Sequence, residues 1–119
     1  MAAPSIAHSV AQHFDKNEPA VRATYEQILK AARKLGPVRQ EAKKTSIHLV
    51  RKTAFAGVAT RRTTLILTLK SDSDLAGDRV IKREQVSANR WHLEVRLQTP
   101  DQVDRELNAW LKKAYELAG

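Results

Sequence analysis

The sequence predicts an α+β fold: a two-layer sandwich in which an antiparallel meander sheet of about five strands carries N-terminal and C-terminal helices packed on one face. Three observations predict it. Apolar residues recur at helical spacing near both ends of the chain, they recur at every second position through the middle, and short polar turns separate the middle segments. The 119 residues have the length of one domain, roughly 100–150 residues. Its expected parts are a helical stretch over 1–36, a sheet over 38–98 and a closing helix over 99–118.

Ile6, Val10 and Phe14 stand four apart, which predicts a short amphipathic helix from Ser5 to Phe14. Asp15-Lys16-Asn17-Glu18 ends it. Pro19 suits the first turn of a second helix, where its missing N–H costs nothing, with Asn17 or Glu18 near the cap. Val21, Tyr25, Ile28, Leu29, Ala32 and Leu35 form its apolar stripe. Gly36-Pro37 stops it, because Gly tolerates left-handed backbone and Pro forbids continuation.

From Val38 the period becomes two. Val38 to Ala42 reads as a short strand or an extended lead-in. Within Thr45 to Arg51, Ile47 and Leu49 alternate with Ser46 and His48. Phe55 to Thr60 is a strand of small residues, Arg61-Arg62 turns the chain, and Thr63, Leu65, Leu67 and Leu69 share one side of Thr63–Lys70. A polar loop runs from Ser71-Asp72-Ser73-Asp74 to Gly77-Asp78. Arg79 to Val86 is a less regular strand, and Ser87-Ala88-Asn89-Arg90 turns again. Trp91, Leu93, Val95 and Leu97 then alternate against His92, Glu94, Arg96 and Gln98. Thr99-Pro100-Asp101-Gln102 opens the last helix, with Thr99 as cap, Pro100 in the first position and Gln102 at capping-box spacing. Val103, Leu107, Trp110, Leu111, Ala114 and Leu117 make its buried face. Helices on one side leave the other sheet face open, carrying His48, Thr64, Thr68, Lys70, His92, Glu94 and Arg96.

Charge is uneven along this plan. The chain has 21 Lys and Arg against 13 Asp and Glu, a formal +8. Residues 30–62 hold 10 basic side chains (Lys30, Arg33, Lys34, Arg39, Lys43, Lys44, Arg51, Lys52, Arg61, Arg62) and only Glu41 acidic, a local +9. A focused positive field attracts phosphate-rich partners and speeds their encounter; a solvated surface is the alternative.

Several chemistries are excluded or weakened. The absence of Cys removes disulfide, thiolate–zinc and thiol chemistry. No apolar run approaches the roughly 18 residues of a membrane span. Met1 to Ala7 lacks the basic and apolar regions of a secretion leader, so the cytoplasm is the expected compartment. Asp72, Asp74 and Asp78 imitate the opening of a calcium loop, but position 5 falls on Ala76 and position 12 on Arg83 rather than Glu, so a solvated acidic turn is expected. His8 and His13, five apart, do not share a helical face as a metal pair would. His48 and His92 share the open face and could flank one ligand, or be simply solvated. There is no nucleophile elbow and no Gly-rich phosphate loop, the four Gly standing isolated at 36, 57, 77 and 119. The aromatics Phe14, Tyr25, Phe55, Trp91, Trp110 and Tyr115 fall on or beside core stripes. That argues against an aromatic platform for stacked bases and leaves backbone electrostatics, with Lys43-Lys44-Thr45 the densest candidate anion contact.

Lys43-Lys44-Thr45, Phe55-Ala56-Gly57 and the run from Leu97 through Thr99-Pro100-Asp101, Val103-Asp104 and Glu106-Leu107 together resemble the small, mostly bacterial domain-of-unknown-function family 5655. His13-Phe14, Glu18-Pro19, Leu35-Gly36-Pro37 and the Leu111 to Tyr115 close extend the likeness from about His8 to Ala118. The resemblance implies a compact helix–sheet–helix domain, found alone or appended to other modules, with no assigned reaction. Relatives often carry a His near Leu93; here it is His92, one position away and on the opposite sheet face.

Three readings of function follow. In the first, a non-enzymatic module contacts nucleic-acid backbone or another polyanion through Lys43, Lys44, Thr45, Arg51, Lys52, Arg61 and Arg62. In the second, the open face around His48, His92 and Arg96, or a sheet edge, binds a protein partner or a second copy. In the third, Lys44, His48 and His92 serve a small-ligand enzyme. No cofactor, metal or membrane partner is expected. Whether Arg61-Arg62 lies beside Lys43-Lys44 or across the molecule from it is a question of tertiary structure.

Overall fold

The computed structural model describes residues 9–74 and 78–119. Its order is a 3-10 turn (Ala11–Phe14), α1 (Pro19–Arg33), β1 (Arg39–Ala42), β2 (Ile47–Val50), β3 (Ala54–Thr60), β4 (Leu65–Ser71), β5 (Val80–Ser87), β6 (Arg90–Leu97), a second 3-10 turn (Pro100–Gln102) and α2 (Arg105–Leu117). The six strands form one antiparallel sheet, β1-β2-β3-β4-β6-β5. The α+β class stands, with six strands where about five are expected and with β5 and β6 exchanged relative to a strict meander.

The exchange has a local cause. Leu93, Val95 and Leu97 on β6 are buried along one face, so β6 is stable only inside the sheet, beside β4. On β5 only Val80 is buried. Its Lys82-Arg83-Glu84 run suits an edge, where charge discourages pairing with another chain. The described ends of the β4–β5 connection lie against opposite ends of α2. Lys113 of α2 meets Asp72 at 3.7 Å, and Arg79 meets Asp104 at 2.8 Å and Glu106 at 3.2 Å.

Both helices cover one face of the sheet. Val21, Tyr25, Ile28 and Ala32 of α1 and Leu107, Leu111 and Ala114 of α2 pack on Ile47, Leu49, Val58, Leu65, Leu67 and Leu69, each buried Val, Ile or Leu contributing about 1.5–3 kcal/mol. The expected helix from Ser5 appears, within the described residues, as the turn Ala11–Phe14, which buries Phe14; Ile6 and His8 lie outside them, as do Ala76 and Gly77. Thr63 is exposed and precedes β4 rather than continuing its apolar side. Gly36, at φ +153°, ends the α1 connection where a Cβ would collide with the Tyr115 hydroxyl. Glycine tolerates such backbone without strain.

The last helix does not run on from Thr99. Pro100–Gln102 makes a separate 3-10 turn, in which the Gln102 side chain accepts the Thr99 N–H at 3.2 Å. Val103 then leaves helical geometry (φ −81°, ψ 73°) to bury its side chain. Asp104 restarts the helix: its carboxylate accepts the Leu107 N–H at 3.1 Å and also holds Arg79. Two partners for one carboxylate outweigh the proline start.

Candidate functional site

Antiparallel pairing decides which turns meet. The β1–β2 turn (43–46) and the β3–β4 turn (61–64) leave the same end of the sheet, while the β2–β3 turn (51–53) leaves the other. Lys43-Lys44 and Arg61-Arg62 are therefore neighbours, on hairpins two strand spacings or about 10 Å apart. His13 ties them together. Its Nε2 lies 2.8 Å from the Lys43 carbonyl, and its own carbonyl accepts the Thr60 hydroxyl at 2.8 Å. The Glu18 N–H adds a bond to the Arg62 carbonyl at 2.8 Å. Arg96, exposed on β6 opposite Ile66, stands near the same end on the open face.

The cations at this end differ in what they already hold. Lys43 lies 3.4 Å from Glu41, which Arg39 also approaches at 3.3 Å. The hydrogen bonds from Arg39 and then Lys43 hold the Glu41 carboxyl below the usual carboxylate range. The Arg61 guanidinium donates to the Thr60 carbonyl at 3.2 Å and stays exposed. Lys44, Thr45 and Arg62 project into solvent, with no side-chain partner among the described residues.

Arg51 and Lys52 sit at the opposite end, a strand length of about 20 Å away. Arg51 is occupied there. Its guanidinium lies 4.4 Å from the Tyr115 ring centroid and donates to the Tyr115 carbonyl at 3.0 Å. The Lys52 and Thr53 N–H groups both point at the Ala118 carbonyl, so this turn caps α2. The Tyr115 ring meets Phe55 edge-on at 5.3 Å, and its hydroxyl donates to the Pro37 carbonyl at 3.1 Å. Gly36-Pro37, Phe55 and Tyr115, three of the sequence signatures, thus converge on one structural hub.

Between the two ends lies a groove of ≈ 290 Å³ on the uncovered sheet face. Its floor is β3, where Ala54, Gly57 and Ala59 leave a trough; its walls are His48 of β2 and Thr68 and Lys70 of β4, with His92 of β6 beyond. His48, Gly57, Thr68 and Glu94 are successive cross-strand partners in one row, and Lys70 opposes His92 in the next. His48 and His92 stand three strand spacings apart, about 14 Å, too far to share a proton or a metal. Lys44, on the end turn, does not complete a triad with them. No group of three His, Asp or Glu among the described residues is arranged to hold a metal. Asp72 and Asp74, read as a solvated acidic turn, are ion-paired with Lys113 and, at 3.0 Å, with Arg83.

His48, Lys70, His92 and Arg96 are placed on the open face by their alternation alone. The trough is less visible in sequence, its only signal being the small residues of Phe-Ala-Gly-Val-Ala in mid-sheet. Among the described residues no helix is long and apolar enough to cross a membrane. The chain matches the family described as Domain of unknown function (DUF5655) over residues 10–118. Comparison with curated proteins and with solved structures gives no match.

Proposed function

The chain belongs to the DUF5655 family, which carries no reaction with it, and from the surface of the molecule we propose a non-enzymatic binding module whose lysines and arginines contact nucleic-acid backbone. One observation carries the reading. Lys43, Lys44, Arg61 and Arg62, far apart in sequence, occupy adjacent turns at one end of the sheet, with His13 holding both turns in register. Clustered cations at about 10 Å spacing act on a phosphate chain together, where scattered ones act singly. Lys52 extends the contact from the opposite end, and Arg51 contributes charge there while remaining bound to α2.

The four cations of the Lys43–Arg62 end alone give a salt slope of about −3.6 on duplex DNA, or roughly 100-fold weaker binding between about 50 and 200 mM salt. The test is fluorescence anisotropy of labelled DNA and RNA over that range, with the Lys44→Ala/Arg61→Ala/Arg62→Ala variant beside the parent. The variant slope is expected to be shallower by about 2.7. Absence of binding at the low-salt end, or an unchanged slope in the variant, rejects the reading. Sedimentation of the same samples tests the homodimer alternative, which needs a mass that rises with concentration.

A further inference from the structure

We propose that the groove along β3 receives an unstacked base, so that the nucleic acid this chain binds is single-stranded; this rests on the backbone-binding reading above. The groove begins at Ser46, beside the Lys43-Lys44 turn, and reaches Lys70, whose Nζ donates to Thr53 next to Lys52 at 3.2 Å. It is the concave path that joins the two cationic ends. A phosphate chain held at both ends lies across it, and something must then occupy the trough.

The lining specifies what fits. Its ionisable groups, His48, Lys70 and His92, can carry only positive charge, and among the described residues no carboxylate lines it. Two carboxylates on this face are already paired: Glu41 with Arg39 and Lys43, Glu94 with Lys82 at 3.9 Å. Glu84, opposite His92 on the edge strand, lies outside the groove. The floor is flat and apolar because Gly57 has no side chain where its row neighbours are His48 and Thr68. A flat apolar floor beside an imidazole and an ammonium suits a planar heterocycle attached to an anionic backbone. Imidazoles stack with bases as the larger aromatics do, so the burial of Phe55 and Tyr115 does not remove the stacking surface. At ≈ 290 Å³ the space is at the small end of ligand sites. A duplex keeps its bases paired and stacked, and presents only phosphates to such a trough.

Gly57→Val tests this without removing a charge. A Cβ at position 57 stands 3.9 Å from the His48 Cδ2 and 4.0 Å from the Thr68 Cβ, ordinary contact distances, so the strand accepts a Cβ there and the methyls of valine take up space in the trough. Short labelled single strands of DNA and RNA are titrated against the duplex of equal length. The parent should prefer single strands, and Gly57→Val should weaken them about tenfold while leaving duplex binding unchanged. In the parent, the imidazole resonances of His48 and His92 should shift on adding the single strand, and His48→Ala, which removes a stacking ring, should weaken the single strand; resonances that stay in place overturn the groove inference. Equal affinity for single strand and duplex, or a Gly57→Val variant indistinguishable from the parent, overturns the groove inference and leaves backbone binding intact. If no nucleic acid binds in low salt, the backbone reading fails and the groove inference with it.

Discussion

Replacing Arg51 by Ala removes a cation from the most basic segment of the chain, yet its main effect should be on stability. The Arg51 guanidinium lies 4.4 Å from the Tyr115 ring centroid and donates to a carbonyl in the last turn of α2 at 3.0 Å. A cation over an aromatic ring contributes about 0.5–1 kcal/mol when partly exposed. A hydrogen bond from a charged donor to a helix C-terminal carbonyl adds about 1–1.5 kcal/mol. Together they imply a loss of about 2 kcal/mol. Unfolding entropy near 2.1 cal/mol/K per residue gives about 0.25 kcal/mol/K for a chain of this length, so Tm should fall by about 8 °C. Calorimetry of Arg51→Ala and Lys44→Ala, with anisotropy on the same samples, separates the two roles. Lys44→Ala should leave stability within about 0.5 kcal/mol and weaken polyanion binding; Arg51→Ala should lower stability and weaken polyanion binding less than Lys44→Ala does. A Tm change below about 2 °C for Arg51→Ala, or an affinity loss as large as that of Lys44→Ala, would refute the assignment of Arg51 to the α2 cap.

Gly36→Ala places a Cβ against the Tyr115 hydroxyl at a φ of +153° and should cost about 2–3 kcal/mol, seen as a urea midpoint lower by about 1–2 M; an unchanged midpoint contradicts the geometry. Arg79 first, and the Leu107 N–H second, hold the Asp104 carboxyl below its usual range. Its contribution is therefore complete above the ordinary Asp value of about 3.9 and is lost as pH falls through the lower folded value. Asp104→Asn keeps a cap and should flatten that acid limb, whereas Asp104→Ala should lose about 1 kcal/mol more at neutral pH; identical acid limbs in parent and Asn variant exclude the pairing. Burial, opposed by Arg33, pushes the Tyr25 phenol up to about 12. The folded state then keeps its proton while the unfolded chain releases it near pH 10, so stability is full below about 10 and declines toward 12. Tyr25→Phe should abolish that alkaline decline while costing about 1–2 kcal/mol at neutral pH for the unpartnered Gln40; a Phe variant with the parent's alkaline slope places the titration elsewhere.

What the sequence determined by itself is whatever depends on near neighbours. The stripe from Val21 to Ala32 and the alternation of Leu93, Val95 and Leu97 read as helix and strand because burial repeats with the period of each element. The same alternation placed His48, Lys70 and His92 on the uncovered face, since a side chain's face in a strand follows from parity alone. Partners distant along the chain left no such trace. Thr99-Pro100 is a good helix start, and Asp104, which caps Leu107 and is held by Arg79, 25 residues earlier, moved the start to Arg105. Nothing in Lys43-Lys44 or Arg61-Arg62 says that they are neighbours; the strand pairings and the His13 bridge do. Arg51 and Arg61 are the same residue type in the same basic segment, but Tyr115 stands beside one and solvent beside the other. Charge and periodicity are properties of a chain, whereas the work a charged side chain does depends on what packs against it, and tertiary structure alone decides that.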